Sequence, residues 1–303
     1  MIRAQGLIKR FGGRAAVDGM TFEVPSGQAV GLLGPNGAGK TTTMRLLTGY
    51  VPADEGTCSI AGVDVQARGL EARRRLGYLP EDNPLYEELE VTESLRYAAR
   101  LRGITDASER ERRVKETARR CGLRAAVGKR IWELSKGYRQ RLGLAQAIVH
   151  DPEVLILDEP TSGLDPNQID EVRGLIAELK RSKTVLLSTH ILAEAEASCD
   201  RVLIVHHGRI AADGPPRSLA AASARRALRL QLKAPVDAAV AALAALPGAA
   251  GCRAEGDSLV LESEADLREA VFALAVERRW PILALTQEAA GLEAAFRELT
   301  RSR

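Results

Sequence analysis

The chain has 303 residues, 45% of them hydrophobic and 27% charged, which is enough apolar content for a buried core and a length of about two domains. A net charge of +3, with arginines interleaved among glutamates, and an aromatic content of 4% argue against a nucleic-acid surface or a base-stacking platform. Cys58, Cys121, Cys199 and Cys252 lie far apart without a C-x-x-C pair, Met1 to Gly6 holds no apolar leader run, and the apolar stretch Ala238 to Leu246 is far short of a membrane span. The expectation is a cytosolic chain with small buried thiols, reaching any membrane through a partner.

Residues 1 to about 62 alternate as strands do, in Ala4 to Leu7 and Met20 to Val24, and Gln28 to Leu33 reads as a short buried strand. It feeds Gly34-Pro35-Asn36-Gly37-Ala38-Gly39-Lys40-Thr41, which fits G-x-x-x-x-G-K-S/T, and Thr42 to Leu47 reads as the first turns of a helix. Strand, loop and helix in that order suit a phosphate. Glycines let successive N–H groups face one anion, and the helix N-terminus adds partial positive charge. Lys40 can reach the β- and γ-phosphates and the Thr41 hydroxyl can ligate Mg²⁺, whereas a glycine turn capping an ordinary helix is the bland alternative.

Tyr86 to His150 is dominated by helical periodicity. Two apolar strands follow, Val154 to Leu157 and Thr184 to Leu187, separated by a helix from Asn167 to Lys180. Near-continuous apolar runs of this kind fit a covered parallel sheet. The first of them runs into Asp158-Glu159, where Asp158 can hold Mg²⁺ opposite Thr41 and Glu159 can polarise a water in line with the γ-phosphate. Alone, the pair is an acidic turn stopped by Pro160. A hairpin, Arg201 to Val205 and Arg209 to Ala212, closes the first unit at the breaker cluster Asp213-Gly214-Pro215-Pro216. Residues 216–227 are expected as a linker. Residues 228–303 read as β-α-β-β-α-β with a last helix from Ala290 to Arg301, the order of a ferredoxin-like accessory domain. No internal repeat accompanies this, so one nucleotide site per chain is expected.

Asp158-Glu159 together with Leu134-Ser135-Lys136-Gly137-Tyr138, then Ser162-Gly163-Leu164-Asp165 and Ser188-Thr189-His190, resembles the nucleotide-binding subunit of ATP-binding cassette (ABC) transporters over roughly residues 2 to 215. The resemblance implies an α/β, P-loop NTPase fold of ABC type at 1–215, a mixed sheet core with a helical subdomain at about 85–150. It implies an ATPase of which two copies, or one copy and a homologous ATPase, face head-to-tail and close on two Mg-ATP. That machine drives a separate integral membrane permease from the inner face of the cell membrane, and no nucleic acid is involved.

By the same resemblance Glu159, His190 and Lys40 are catalytic. Phe11, Gly34, Pro35, Asn36, Gly37, Ala38, Gly39, Lys40, Thr41, Thr42, Glu81, Ser135, Gly137 and Asp165 hold the nucleotide, and Thr41, Asp158 and Glu81 hold Mg²⁺. Ser135 and Gly137 would meet ATP held by the partner copy, and Asp165 would sit at the dimer seam. Beside these roles stand plainer ones: helix N-caps for Ser135 and Asp165, a structural His190, a core Phe11. Lys136 replaces a usual glycine, Tyr138 a usual glutamine and Glu81 another glutamine. Gly77-Tyr78-Leu79-Pro80-Glu81 with Leu134 to Arg141 resembles the export-type subgroup that includes gliding-motility-type ATPases. A soluble ABC ATPase acting on ribosomes or DNA, a non-hydrolysing ATP-gated switch and an importer ATPase are the rival readings.

Overall fold

The computed structural model describes residues 1–222, 226–263, 265–288 and 292–300, and the chain divides into two compact units, Met1–Pro216 and Arg217–Arg303. In the first unit, β1 (Ile2–Phe11) and β2 (Arg14–Val24) form an antiparallel pair turned at Gly12-Gly13, both at positive φ. Then follow β3 (Ala29–Leu33), α1 (Lys40–Leu47), β4 (Glu55–Ile60), β5 (Val63–Asp64), α2 (Gly69–Arg74) and β6 (Leu76–Leu79). The helical segment is α3 (Val91–Leu101), α4 (Ala107–Arg120) and α5 (Lys136–Ile148). The chain returns to the sheet with β7 (Val154–Asp158), α6 (Pro166–Leu179), β8 (Thr184–Thr189), α7 (Leu192–Ser198), β9 (Arg201–His206) and β10 (Arg209–Gly214).

One sheet runs β2-β1-β4-β5 and is antiparallel; the other runs β10-β9-β3-β8-β7-β6, parallel except for its edge strand β10. Every residue of β3, β7 and β8 is buried, as expected for parallel strands covered on both faces. β2 instead alternates buried and exposed positions, as befits a sheet with one wet face. Met44, Leu46 and Leu47 of α1 are buried in one core with Ile2, Leu7, Met20 and Ile60 from the antiparallel sheet and Val30, Leu32, Ile156 and Leu203 from the other. Each such side chain contributes about 1.5–3 kcal/mol by leaving water. The helix that begins at Lys40 is therefore also the helix on which the unit packs.

α3 to α5 are bounded by local hydrogen bonds. The Glu90 N–H donates to Glu93 at 2.9 Å, Asp106 accepts from the Glu109 N–H at 2.7 Å, and Ser135 accepts from the Tyr138 N–H at 3.4 Å. The expected helix Asn167 to Lys180 is present one residue earlier, with Asp165 as N-cap and Pro166 inside the first turn. Cys58, Cys121 and Cys199 are buried and Cys252 half-buried; burial pushes the Cys58 thiol up to about 11 and those of Cys121 and Cys199 up to about 12.

The second unit holds α8 (Pro216–Ala222), β11 (Arg226–Leu232), α9 (Val236–Ala244), β12 (Ala249–Glu255), β13 (Ser258–Ser263), α10 (Arg268–Arg278), β14 (Ile282–Glu288) and α11 (Leu292–Thr300). Its sheet runs β12-β13-β11-β14, each neighbouring pair antiparallel, and Leu228, Leu230, Leu243, Leu259, Leu261 and Val271 form its own core. Within the linker expected at 216–227, residues 216–222 are helical and a strand begins at Arg226. A proline sets the φ of the first turn, and the alanines and leucine that follow are strong helix formers. Residues 223–225 of that linker, and the ends Ala290 and Arg301 of the expected last helix, lie outside the described residues.

Candidate nucleotide site

β3 delivers the chain to residues 34–39 between β9 and the antiparallel sheet. A Cβ on Gly34 would stand 2.6 Å from the Val205 carbonyl oxygen, and one on Gly39, at φ +107°, would stand 2.3 Å from that of Ala16. Only glycine fits at either place. The turn between β9 and β10 buttresses the loop: Gly208 N–H donates to the Ala38 carbonyl at 2.9 Å, and Asp18 N–H to that of Gly208 at 2.9 Å. Lys40 is buried, its Nζ donating to the carbonyls of Gly34 at 2.8 Å and Pro35 at 3.3 Å. The ammonium thus stands inside the curl of the loop, where backbone N–H groups and one cation converge on the volume of an anion. Thr43 steadies the first turn by donating to the Gly39 carbonyl at 2.8 Å.

β7 and β8 lie side by side to their last pair, Asp158 opposite Ser188. Ser188 Oγ donates to Asp158 Oδ1 at 2.5 Å and accepts from the Glu159 N–H at 3.0 Å. Asp158 is fully buried and its Oδ2 has no hydrogen-bond partner. Burial pushes its carboxyl above the usual range, while the Ser188 and Thr41 hydroxyls and the Lys40 ammonium pull the other way and the charge of Glu159 adds to the rise. Thr41 faces this carboxylate closely enough to favour its ionised form without closing a hydrogen bond of good geometry.

Glu159 leaves the strand at φ 49° and is 7% exposed. A left-handed conformation in a non-glycine residue costs about 1–2 kcal/mol and persists where the surroundings hold it. Here it aims the carboxylate at the loop after β8, where Glu159 Oε2 lies 2.9 Å from His190 Nδ1. The His190 ring is half exposed. A buried carboxylate held against an imidazole suits a general base.

Hydrogen bonds and close electrostatic contacts thus bring Lys40, Thr41, Asp158, Glu159 and His190 together. Outside the loop 34–41, whose Gly34 and Pro35 carbonyls accept from Lys40, the remaining expected residues are not joined to that group by a hydrogen bond or ion pair. Phe11 ends β1 with its ring 53% exposed, 5.7 Å from the Lys9 ammonium, so it is no core residue. Glu81 is exposed in the turn after β6. Ser135 and Asp165 are N-caps of α5 and α6, Asp165 accepting from the Gln168 N–H at 2.9 Å. Gly137 is buried beneath the Gln168 side chain, and Lys136 reaches across to lie on Gly163. Tyr138 has the Arg141 guanidinium over its ring at 5.4 Å, and Gln140 donates to the Pro160 carbonyl at 3.0 Å, tying α5 to the segment that carries Glu159.

Sequence reasoning passed over the parts played by Ser188, Thr161 and Glu194, which hold Asp158 and the loops beyond it. Ser188 and Thr189 at the end of the apolar strand β8 were the available signal.

Whether the site fits a divalent cation turns on Asp158. A buried carboxylate oxygen without a partner, beside a threonine hydroxyl, is the kind of oxygen donor that Mg²⁺ takes. Among the described residues no group of three or more His, Cys, Asp or Glu could hold a metal alone, so nucleotide oxygens would complete the shell.

A family model described as ABC transporter matches residues 17–162. Nod factor export ATP-binding protein I of Burkholderia lata is 42% identical over 215 residues, covering 70% of this chain and 69% of that protein. The chain belongs to the ABC transporter family. It is an ATP-binding subunit of that family, an ATPase with the P-loop fold. A solved ATP-binding subunit of an ABC transporter superposes with a TM-score of 0.68 at 34% identity, covering 73% of this chain and 92% of the other. CbiO1 of Clostridium perfringens, part of an ABC transporter complex, superposes with a TM-score of 0.65 at 26% identity over 73% of this ABC subunit and 90% of its own chain. Among the described residues, no helix is long and apolar enough to cross a membrane.

Proposed function

We propose that this ABC subunit binds Mg-ATP on the loop 34–41 and hydrolyses it as a dimer that powers a separate membrane permease in the export direction. The observation that carries the reading is the contact of Glu159 with His190 at 2.9 Å, next to the partnerless oxygen of Asp158 and beside Lys40 and Thr41. Glu159 takes the proton of the attacking water, while His190 orients that carboxylate and donates to developing charge. Lys40 and the loop N–H groups hold the β- and γ-phosphates. Thr41 and Asp158 would hold Mg²⁺, which would neutralise phosphate charge, with Glu81 as a further candidate ligand. The exposed ring of Phe11 takes the adenine. Ser135 and Asp165, exposed at two helix N-termini, face a second copy, and Gly137 lies buried next to Ser135 under the Gln168 side chain.

The names of the Burkholderia relatives support export, and the permease would hold the subunit at the inner face of the membrane. Residues beyond 216 form a ferredoxin-like accessory domain, supported by their strand order β12-β13-β11-β14. Glu159→Gln tests the assignment. It should bind ATP with wild-type affinity and lose about 10²- to 10⁴-fold in hydrolysis rate. Phosphate release at the wild-type rate would remove Glu159 from the mechanism.

A further inference from the structure

The backbone ladder between β7 and β8 ends at Asp158 and Ser188, yet the segments that carry Glu159 and His190 run on outside the sheet. One buried side chain spans them. Glu194, in the first turn of α7, is 4% exposed. Its two carboxylate oxygens lie 2.7 and 2.8 Å from Thr161 Oγ1, and its Oε2 accepts from Thr189 Oγ1 at 2.9 Å. Thr189 Oγ1 in turn accepts from the Ile191 N–H at 3.0 Å. Arg173 of α6 brings a guanidinium to 3.9 Å of the carboxylate and offsets its charge.

Thr161 lies two residues past Glu159, and Thr189 immediately precedes His190. Glu194 touches neither member of the pair, yet it fastens the segment after one to the segment before the other. Glu159 also needs such a fastening, because its left-handed backbone has to be held from outside. A buried carboxylate is an expensive way to fill space, and a leucine would pack as well. The convergence of two hydroxyls on one carboxylate is a geometric device.

We propose that Glu194 is a positioning residue for hydrolysis. It fixes the separation of Thr161 and Thr189, and through them the 2.9 Å contact between Glu159 and His190. The inference rests on the reading of Glu159 and His190 as the catalytic pair.

The test uses the full chain and compares wild type, Glu194→Gln and Glu159→Gln. Steady-state hydrolysis gives kcat and KM, a fluorescent ATP analogue gives affinity, and ring NMR signals report on His190, one of four histidines. Glu194→Gln keeps the shape of the side chain but turns one acceptor into a donor. The expected result is a kcat lower by at least tenfold, with KM and affinity within twofold of wild type and the His190 ring signals displaced. A wild-type kcat, a KM rising in step with the loss, or unmoved His190 signals would each overturn it. If Glu194→Gln does not fold, Thr189→Val removes one hydroxyl while Thr161 and Arg173 still hold the carboxylate, and the same outcomes decide. Wild-type hydrolysis by Glu159→Gln would instead sink the catalytic pair, whereas an inactive Glu159→Gln beside an unaffected Glu194→Gln would sink Glu194 alone.

Discussion

As the proposed Mg²⁺ ligand, Asp158 is a residue kept for chemistry at a cost to folding. Burial lifts its carboxyl above the ordinary 3.8, so its ionised form is less favourable folded than unfolded. Linkage fixes the sign. Below the unfolded value both states carry the proton and nothing is lost; as pH rises through the folded value, the folded state must give up a proton it holds more tightly, and stability falls. Asp158→Asn, which cannot ionise, should therefore melt at a higher temperature than wild type at pH 7 without nucleotide, and the gain should vanish toward pH 4 in calorimetry. The same variant should lose the Mg²⁺ dependence of ATP binding and at least about 10²-fold in hydrolysis, since a lost metal ligand is worth several kcal/mol. A lower melting temperature at pH 7 would mean that Ser188 and Thr41 outweigh burial. The phosphate loop was readable as letters because its geometry is local: Gly34 to Thr41 curl around one point within eight consecutive residues. Ser188 and Glu194 were not, because their partners lie 30 and 33 residues away and meet them only through the register of β7 on β8.

Elements transmit what residues arrange. α5 begins at Ser135, sends Gln140 to the Pro160 carbonyl, and ends against β6. At that end a Cβ on Gly77 would stand 2.1 Å from the Ala147 carbonyl oxygen and 2.7 Å from Leu155 Cδ2. Neither neighbour is the tip of a flexible chain pointing to solvent, so Gly77→Ala has to push α5 off the sheet. It should cost about 1–3 kcal/mol in urea unfolding, the range of overpacking in a close-packed core. Because α5 also carries Ser135 and Gly137, hydrolysis should fall with stability. Gly174→Ala serves as the control, because a Cβ there meets nothing within 4 Å. Equal stability for the Gly77 variant and wild type would show that α5 has room to move. Long elements were legible from periodicity, as in α4 and α6. α2, with six residues, was not, since it does not complete two turns of pattern. α8 was hidden by its own start: Gly214, Pro215 and Pro216 punctuate a strand end and a helix beginning alike.

At the scale of the whole chain, two cores have no residue in common. One gathers α1 between the two sheets of the first unit, and the other lies in the sheet β12-β13-β11-β14 with α9 and α10. Lys40, Thr41, Asp158, Glu159 and His190 all belong to Met1–Pro216. A ligand stabilises only the cooperative unit that binds it, by RT ln(1 + [L]/Kd), which is about 2.7 kcal/mol at a hundredfold excess over Kd. For a unit of this size each kcal/mol moves the melting temperature by roughly 2–4 °C, so saturating Mg-ATP should raise one transition by about 5–10 °C. Scanning calorimetry of Glu159→Gln, which spares the nucleotide from hydrolysis during the scan, should resolve two transitions, of which the larger moves with Mg-ATP and the smaller stays. The larger one belongs to the first unit because unfolding enthalpy scales with the number of residues released. A single transition moving as a whole would mean that the two cores melt as one cooperative body, and a shift confined to the smaller one would place the nucleotide in Arg217–Arg303 and remove the loop at Gly34 from the binding site.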